Sequence, residues 1–373
     1  MKILVVNSSL RLGGAESMSV ELANALARAG STVAFGSAPG PLRESLDGEV
    51  TWLETANPSF TLLRAARDMR ARARAFRPQV IHAHGPSCAV AAAMATRGMR
   101  PRPIRVLTHH SRGFFRGPQA ASGWLVRHAA DHFVAITADK RAAFEGFGVA
   151  AERISLIPNF VDTGAIAARV AAADRRAVRS GLGIAADARV ACIAGRALPE
   201  KGFDRFARIV ALAASRFEGE LHGVALGDGP ALDQARRAAA DAGGAARVHF
   251  LGYQRDVLPY LAASDVVLFP SSHAEVLPMF LIEASAAGLP IVCSGIPGNR
   301  EVVRDGENGA IVEGDDADYA ERLLELLRAP ERATAMGAAG RRAAVERFDR
   351  TRVVAATLAL YRSLVERGPG SAR

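Results

Sequence analysis

The stretch Ser271-Ser-His-Ala-Glu275-Val-Leu-Pro-Met-Phe-Leu-Ile-Glu283 sets two glutamates eight positions apart, with a proline and helix-favouring apolar residues between them. It follows the apolar segment Val266–Phe269, which is typical of a buried strand. The pattern predicts a strand, a loop that carries Glu275, and a helix that carries Glu283. The start of such a helix offers backbone N–H groups and the positive end of the helix dipole to a phosphate. Carboxylates beside it suit sugar hydroxyls, so the stretch indicates a nucleotide-sugar site.

Short apolar strands alternate with amphipathic helices along the chain, which predicts α/β architecture with parallel sheets. One series runs from a strand over 2–6 to a strand over 153–157, and a second begins with a strand over 190–194. We therefore expect two doubly wound, Rossmann-like domains facing each other across a cleft, over residues 1–165 and 166–350. A last helix near 352–366 is detached from the second series. We expect the segment 351–373 to pack back on the first domain.

The composition is that of an ordinary globular protein of 373 residues, with 49% hydrophobic and 23% charged residues. No segment approaches the roughly 20 apolar residues of a membrane helix, and the N-terminus reads as a first strand. The three cysteines lie far apart and form no metal-spaced pair. These features predict a cytoplasmic protein with reduced, mostly buried thiols.

Positive charge is concentrated in the first half of the chain, where residues 1–180 hold 24 Lys and Arg against 13 Asp and Glu. Five arginines recur every three or four positions along one predicted helix: Arg64, Arg67, Arg70, Arg74 and Arg77. That spacing predicts a basic helix face for an anionic membrane surface or an acidic glycan. Peripheral attachment to the inner face of the plasma membrane is therefore a hypothesis. Nucleic acid is disfavoured, since no base-stacking aromatic pattern accompanies the arginines.

Two cations, Arg196 and Lys201, share a loop that directly follows a predicted strand. Arg offers a forked contact and Lys a point charge, so both could hold one diphosphate. Asp316-Ala-Asp318 has the spacing of a metal-binding pair, but it stands at the start of a helix, where acids act as caps. We therefore expect no metal and no cofactor, and the cations must stabilise the leaving diphosphate.

In the first half, Gly13 and Gly14 join the first strand to the first helix, where backbone can approach a ligand closely. The loop lacks the Gly-x-Gly-x-x-Gly fingerprint, which disfavours a nicotinamide enzyme. His109 and His110 follow a strand, at an edge where a histidine could donate to a phosphate or sugar hydroxyl. His84 ends another strand, and we expect a structural role for it.

Taken in order, these motifs resemble the retaining glycosyltransferases of glycosyltransferase family 4, which have the GT-B fold. The resemblance includes Gly13-Gly14, the strand end Val80–His84, Pro158-Asn159, Gly227-Asp-Gly229 and the pair of glutamates. Three positions differ from the common pattern: Val276, Met279 and Phe160.

The resemblance implies a nucleotide-diphosphate sugar bound by the second domain and a glycan or lipid-linked acceptor bound by the first. It implies metal-independent transfer with retention at the anomeric carbon, of the hexosyltransferase type, in the synthesis of cell-surface polysaccharide or lipopolysaccharide. By the family pattern Glu275 and His110 act at the reacting sugar, Arg196 and Lys201 hold the diphosphate, and Glu283 holds the ribose. The remaining donor-site residues by this pattern are Gly14, Gly227, Tyr253, Arg255, Pro278, Met279 and Phe280.

Two alternatives remain open at this point. A sugar-nucleotide epimerase of related fold would release a free sugar or an isomer without an acceptor. A non-catalytic protein that binds sugar nucleotides would need no reacting carboxylate, and the joint presence of Arg196, Lys201, Glu275 and Glu283 speaks against it.

Overall fold

A computed structural model of the chain describes residues 1–110, 119–272 and 275–369, and in the second range it describes side chains from residue 123 onward. His273 and Ala274 of the opening stretch, and the last four residues of the predicted segment 351–373, lie outside these ranges. The chain divides into two compact units. Unit 1 comprises Met1–Asn159 together with the chain from Arg350 onward, and unit 2 comprises Phe160–Asp349.

Unit 1 is built on a parallel sheet in the order β3-β2-β1-β4-β5-β6-β7. Its strands, apart from the two at the edges, are almost entirely buried, which is why their sequences are largely apolar. They are β1 (Lys2–Ser9), β2 (Thr32–Ala38), β3 (Thr51–Glu54), β4 (Val80–His84), β5 (Ile104–Thr108), β6 (His132–Ala135) and β7 (Ile154–Leu156). The helices that connect them are α1 (Gly14–Arg28), α2 (Leu62–Phe76), α3 (Pro86–Thr96), α4 (Gln119–Ala129) and α5 (Ala138–Gly146).

Unit 2 contains a second parallel sheet, in the order β10-β9-β8-β11-β12-β13. Its strands are β8 (Arg189–Ala194), β9 (Leu221–Leu226), β10 (Val248–Phe250), β11 (Val266–Phe269), β12 (Ile291–Ser294) and β13 (Gly309–Val312). Its helices are α6 (Thr163–Ala172), α7 (Arg175–Gly181), α8 (Phe203–Ala214), α9 (Leu232–Asp241), α10 (Leu258–Ala263), α11 (Met279–Ala287), α12 (Pro297–Arg300), α13 (Asp316–Arg328) and α14 (Pro330–Phe348). The predicted pair of doubly wound Rossmann-like domains is confirmed.

The last helix, α15 (Arg350–Arg367), belongs to unit 1, as predicted. It buries residues three or four positions apart, among them Val354, Leu358 and Tyr361, which form one face of the helix. The hydroxyl of Tyr361 is hydrogen-bonded to Nδ1 of His82 on β4. The helix is therefore tied to the central strands of unit 1 by a buried polar contact as well as by apolar packing.

The boundary between the units lies at Asn159, earlier than the predicted residue 165. Val161 donates its N–H to the carbonyl of Phe348 at 2.9 Å, and Thr163 donates its hydroxyl to Asp349 at 2.5 Å. These bonds fix the start of α6 to the end of α14 within unit 2. The two crossings of the chain between the units are thus neighbours in space.

Two short strands, β3 and β13, are absent from the predicted pattern. Each lies at an edge of its sheet and has only four residues. β3 is partly exposed along its whole length, so its sequence carries no apolar run. In the described chain, no helix is both long enough and apolar enough to cross a membrane. All three cysteines are buried and free.

Candidate functional site

Loops at the carboxyl edge of the unit 2 sheet pack backbone against backbone. Gly195 after β8 donates its N–H to Leu226 at 3.0 Å, and Gly227 after β9 donates to Gly252 at 2.7 Å. Gly227 has a φ of +147°, and a Cβ there would lie 1.8 Å from the carbonyl oxygen of Gly195. Only glycine fits this position, so the predicted donor-site residue Gly227 has a structural reason for its identity.

Lys201 and Glu275, predicted on two separate loops, form a direct ion pair between Nζ and Oε1. The Glu275 side chain is 6% exposed and that of Lys201 is 21% exposed, so the pair is largely withdrawn from water. Ser272 donates its N–H to the carbonyl of Glu200 at 3.0 Å, which holds the two loops together. The structure therefore brings into contact Lys201, which was predicted to bind the diphosphate, and Glu275, which was predicted to bind the sugar.

Arg196, in the same loop as Lys201, lies exposed at this edge. Its guanidinium forms no ion pair with any residue in the described parts of the chain. Lys201 follows in a short 3-10 turn, Pro199–Lys201, that ends at Gly202 in a left-handed conformation. A Cβ on Gly202 would lie 2.5 Å from the carbonyl oxygen of Pro270, so the loop after β8 also touches the loop after β11.

Glu283 lies one turn into α11, whose other side chains are mostly buried. The helix begins at Met279 after Pro278, and Phe280 packs against Phe269 of β11 with ring centroids 6.2 Å apart. Burial and, to a smaller extent, the negative charge of Asp256 together raise the pKa of the Glu283 carboxyl to about 7. Glu283 is partly buried and accepts no hydrogen bond from another described residue. A carboxylate in that state favours a ligand that donates hydroxyl groups to it.

Asn299 is a buried residue of this site that the sequence patterns did not indicate. Its side-chain amide donates to Oγ of Ser294 at 2.9 Å and to the carbonyl of Ser294 at 3.1 Å. The neighbouring Gly298 packs so closely that a Cβ would lie 2.5 Å from the carbonyl oxygen of Glu275. The turn at 297–299 therefore supports the backbone of Glu275. Its Pro-Gly-Asn sequence is a turn signal that could have revealed it.

Tyr253 and Arg255 follow β10 and are both exposed. Between them, Gln254 donates to the carbonyl of Leu251 at 2.8 Å and accepts from the hydroxyl of Tyr260 at 3.2 Å. These bonds fix the loop while leaving its flanking side chains in solvent. Asp256 in the same loop is the acid that raises the pKa of Glu283, which places this loop near α11.

In unit 1, α1 begins at Gly14, directly after Gly13. A Cβ on Gly14 would meet no other atom within 4 Å, and its backbone is not left-handed. The fold of unit 1 therefore does not itself require glycine there. Close approach of a ligand to this helix start remains a prediction.

His110 does not stand alone at the carboxyl edge of unit 1. Its Nε2 lies 2.9 Å from Nδ1 of His84, and the two rings are stacked with centroids 5.2 Å apart. His82 lies beside them, with Nε2 2.7 Å from the hydroxyl of Thr108. The prediction gave His84 a structural role and did not include the direct contact of its ring with His110.

Both histidines of the pair are neutral at pH 7. Burial and, to a smaller extent, the charge of Lys140 together lower the pKa of His110 to about 4, and burial lowers that of His84 well below its usual value. Nε2 of His84 and Nδ1 of His110 are buried without a partner in the described chain. One proton lies between the two rings, so one of these two outer nitrogens carries an N–H and the other is an acceptor. The pair therefore presents one unpaired donor and one unpaired acceptor.

Of the two predicted capping acids, Asp318 takes part in the helix cap, whereas the N-cap itself is the preceding Asp315. Asp315 accepts from the N–H groups of Ala317 and Asp318, and Asp318 accepts from that of Asp315. Asp316 is paired with Arg205 and Arg208 at 2.8 and 2.7 Å. Over the residues that the structure describes, no group of three or more histidine, cysteine or acidic side chains is arranged to hold a metal ion.

Two family models match adjacent parts of the chain. "Glycosyltransferase Family 4" matches residues 12–165 and "Glycosyl transferases group 1" matches residues 174–343. The crystal structure of Anabaena Alr3699/HepE in complex with UDP superposes with a TM-score of 0.82 over 98% of this chain and 100% of that chain, at 22% identity. The same protein in complex with UDP-glucose gives a TM-score of 0.79. These structures establish the likeness of fold.

Relatives of known name are more similar in sequence. The lipopolysaccharide core biosynthesis glycosyltransferase LpsE of Rhizobium meliloti is 36% identical over 214 residues, which are 56% of this chain and 58% of LpsE. The D-inositol 3-phosphate glycosyltransferase of Geodermatophilus obscurus is 34% identical over 249 residues, which are 64% of this chain and 53% of that protein. The chain thus spans little more than half the length of these relatives. On the two matching models and the shared fold, the chain belongs to glycosyltransferase family 4 and has the GT-B fold.

Proposed function

We propose that the chain transfers a sugar from a nucleotide-diphosphate donor to a glycan or glycolipid acceptor. The observation that carries this proposal is the Lys201–Glu275 ion pair beside the unpaired Arg196, at the carboxyl edge of a Rossmann-like sheet. Open parallel sheets bind their ligands at this edge. The complexes of HepE with UDP and UDP-glucose support a donor of this class, and the similarity to LpsE supports an acceptor in lipopolysaccharide synthesis.

In the proposed reaction, Arg196 and Lys201 hold the donor diphosphate and stabilise its charge as the glycosidic bond breaks. Glu275 accepts a hydrogen bond from a hydroxyl of the donor sugar, and Glu283 accepts from the ribose. The His84–His110 pair supplies a neutral donor and acceptor for sugar hydroxyls. We propose that transfer proceeds with retention and without a metal, and that the leaving phosphate takes the proton of the acceptor hydroxyl.

The proposal is tested by incubating the full chain with UDP-, GDP- and ADP-sugars. We expect one class of nucleotide to raise the melting temperature, because a ligand at about 100 times its Kd stabilises the folded state by about 2.7 kcal/mol. The same donor should be consumed with a glycan acceptor in the presence of EDTA, giving a product with the donor's anomeric configuration by NMR. Failure to bind or hydrolyse any donor contradicts the proposal. Isomerisation without an acceptor indicates an epimerase instead.

Two variants separate the roles of the ion pair. Lys201→Gln should weaken binding of the nucleotide diphosphate by about tenfold or more, since a charge-assisted hydrogen bond is lost. Glu275→Gln should keep or strengthen that binding, because Lys201 is released from its partner, while transfer of the sugar is lost. Lys2→Gln, at an exposed lysine of unit 1, is the matched control. Unchanged transfer by Glu275→Gln contradicts the proposed role of Glu275 at the reacting sugar.

Donor affinity should depend on pH through Glu283. The ionised carboxylate accepts hydroxyl hydrogen bonds better than the acid, so affinity should fall by up to about tenfold per pH unit below the pKa of about 7. Glu283→Gln should abolish this dependence between pH 6 and 8, measured by calorimetry. His82 and His110, with pKa values lowered to about 3 and about 4, remain neutral over this range.

The raised pKa of Glu283 also makes the free energy of unfolding depend on pH. Between its usual value of 4.5 and about 7, the folded state holds the Glu283 proton more tightly than the unfolded state does. Stability therefore falls as the pH rises through this window, and Glu283→Gln should be more stable than the parent at pH 8 and nearly equal to it at pH 5. An identical pH profile of parent and variant, in both affinity and stability, would argue against a buried, titrating Glu283.

His84 should act as a positioning residue for His110. His84→Ala removes the contact with Nε2 of His110, so we expect kcat to fall about tenfold with little change in the KM for the donor. His84→Asn places an amide near the position of Nδ1 and should restore most of the rate. A loss of kcat that Asn does not restore, or an equal loss of donor binding, means that His84 serves only the fold.

A second proposal is peripheral attachment to an anionic membrane through α2. Of the five predicted arginines, four are exposed, namely Arg64, Arg67, Arg74 and Arg77, whereas Arg70 donates to the carbonyls of Ala95 and Arg97 at 2.9 and 2.7 Å. Arg77 ends the helix in a left-handed conformation. Phe60 and Leu63, next to the exposed arginines, are 78% and 75% exposed. Apolar side chains beside arginines are typical of membrane interfaces.

This attachment is tested by co-sedimentation with phosphatidylglycerol vesicles. Changing Arg64, Arg67 and Arg74 to Glu should abolish sedimentation, and Phe60→Ser should weaken it, because charge and apolar contact both contribute. Sedimentation that survives the three Glu substitutions contradicts the proposal.

A further inference from the structure

A basic groove of about 810 Å³ opens at the amino-terminal edge of the unit 1 sheet, at the start of β5 and β6. It lies at the opposite end of β5 from His110, which follows the carboxyl end of that strand. Its volume falls within the range of small-molecule sites. Six arginines line it: Arg97, Arg102, Arg105, Arg127, Arg153 and Arg367.

Only two acids, Asp131 and Glu152, line the same groove. Asp131 is shared by Arg102 at 2.9 Å and Arg105 at 3.0 Å, so one carboxylate serves two guanidinium groups. Glu152 forms no ion pair with another described residue. Six positive charges thus face two negative ones, and most of the positive charge in the groove has no counter-charge in contact.

Part of this cluster has a structural purpose. Arg153 donates to the carbonyls of Arg127, Ala130 and Asp131 at 3.1, 2.6 and 3.1 Å, and so caps the end of α4. The N–H of Arg105 donates to Asp131 at 2.9 Å, which fixes the start of β5. These contacts give Arg102, Arg105 and Arg153 a structural role that requires no bound ligand.

Unit 2 contains an equivalent cluster of one aspartate and its arginines, which shows how the fold itself uses such guanidinium groups. Asp265, before β11, pairs with Arg175 at 2.6 Å and Arg179 at 2.9 Å, and accepts the N–H of Val190 at 2.8 Å. Arg179 is buried there, and its remaining donors reach carbonyls of Ala263, Ala186 and Ala188. The guanidinium groups of that cluster are therefore used within the fold.

The remaining three arginines of the groove are not used in this way. The guanidinium groups of Arg97 and Arg127 form no hydrogen bond with another described residue, and that of Arg367 donates only to the carbonyl of Ser363 at 3.3 Å. All three are exposed. They come from three different helix ends, those of α3, α4 and α15, and converge on one groove. Free guanidinium forks are suited to the oxygens of phosphate groups.

We propose that this groove binds an anion with two or more phosphate charges, held by Arg97, Arg127 and Arg367. The anion is either a free phosphorylated molecule or the phosphate-bearing headgroup of a lipid. His132, buried at the floor of the groove, reports its occupancy. Burial and, to a smaller extent, the charges of Arg367 and Arg153 together lower the pKa of His132 to about 4. A bound anion offsets those charges and raises this pKa. The site is independent of the proposed donor site in unit 2.

The experiment uses the full chain with Lys201 and Arg196 changed to Gln, so that the proposed donor site does not bind the probe. Inorganic pyrophosphate is titrated by calorimetry, and the His132 ring is followed by NMR. In this background, the triple change Arg97→Gln, Arg127→Gln and Arg367→Gln should weaken pyrophosphate binding at least about tenfold. It should also abolish the upward shift of the His132 pKa. None of the three arginines forms an ion pair with another residue of the described ranges, so the fold should persist, which circular dichroism checks.

The matched control removes the same charge from Arg332, Arg342 and Arg362, which are exposed and do not line the groove. It should bind pyrophosphate within about twofold of its parent, as expected for surface charges away from the site. A parallel titration uses vesicles of phosphatidylcholine with phosphatidic acid. Loss of pyrophosphate binding in the groove variant supports a free ligand, and loss of vesicle binding alone supports a lipid headgroup. If neither differs between the groove variant and the control, the proposal is wrong.

Discussion

The contact between Lys201 and Glu275 is the interaction on which the geometry of the candidate donor site depends. Two oppositely charged groups withdrawn from water are stable together, but either one alone is costly. The pair holds the loop after β8 against the loop after β11, and both loops are already in backbone contact through Gly202. In the proposed reaction, the donor diphosphate competes with Glu275 for Lys201, so that the carboxylate becomes available to a hydroxyl of the sugar. On that proposal, substrate binding replaces an internal ion pair with two new interactions.

Close backbone packing makes this arrangement possible. Gly227 and Gly298 allow carbonyl oxygens of neighbouring loops to approach where any side chain would collide. The loops after β8, β9, β10, β11 and β12 are thus joined by backbone contacts into one continuous surface. The side-chain amide of Asn299 supports that surface through three hydrogen bonds, one to Ser271 and two to Ser294. The rigidity of the site comes from these loops as well as from the sheet.

The fold was largely predictable because strands buried on both faces leave continuous apolar runs, as in Val266–Phe269. Edge strands such as β3 escaped prediction because their side chains are half in solvent. The capping role of Asp318 followed from a local rule. The return of α15 followed from its position after the second series of strands had ended. By contrast, the pairing of His84 with His110 joins strands 26 residues apart, and no local pattern encodes which rings will stack. The same holds for Asn299, whose role depends on packing between loops.

The return of α15 to unit 1 has a consequence for the order in which the protein is made. Unit 2 is one uninterrupted segment, so all of its residues have been synthesised before α15 emerges. Unit 1 begins earlier but cannot be completed until Tyr361 reaches His82, 279 positions away along the chain. During synthesis, the face of α1 that contacts α15 therefore stays uncovered until α15 has been made. The second unit can form all of its own contacts before that point. The half of the protein that is translated first is the half that is finished last.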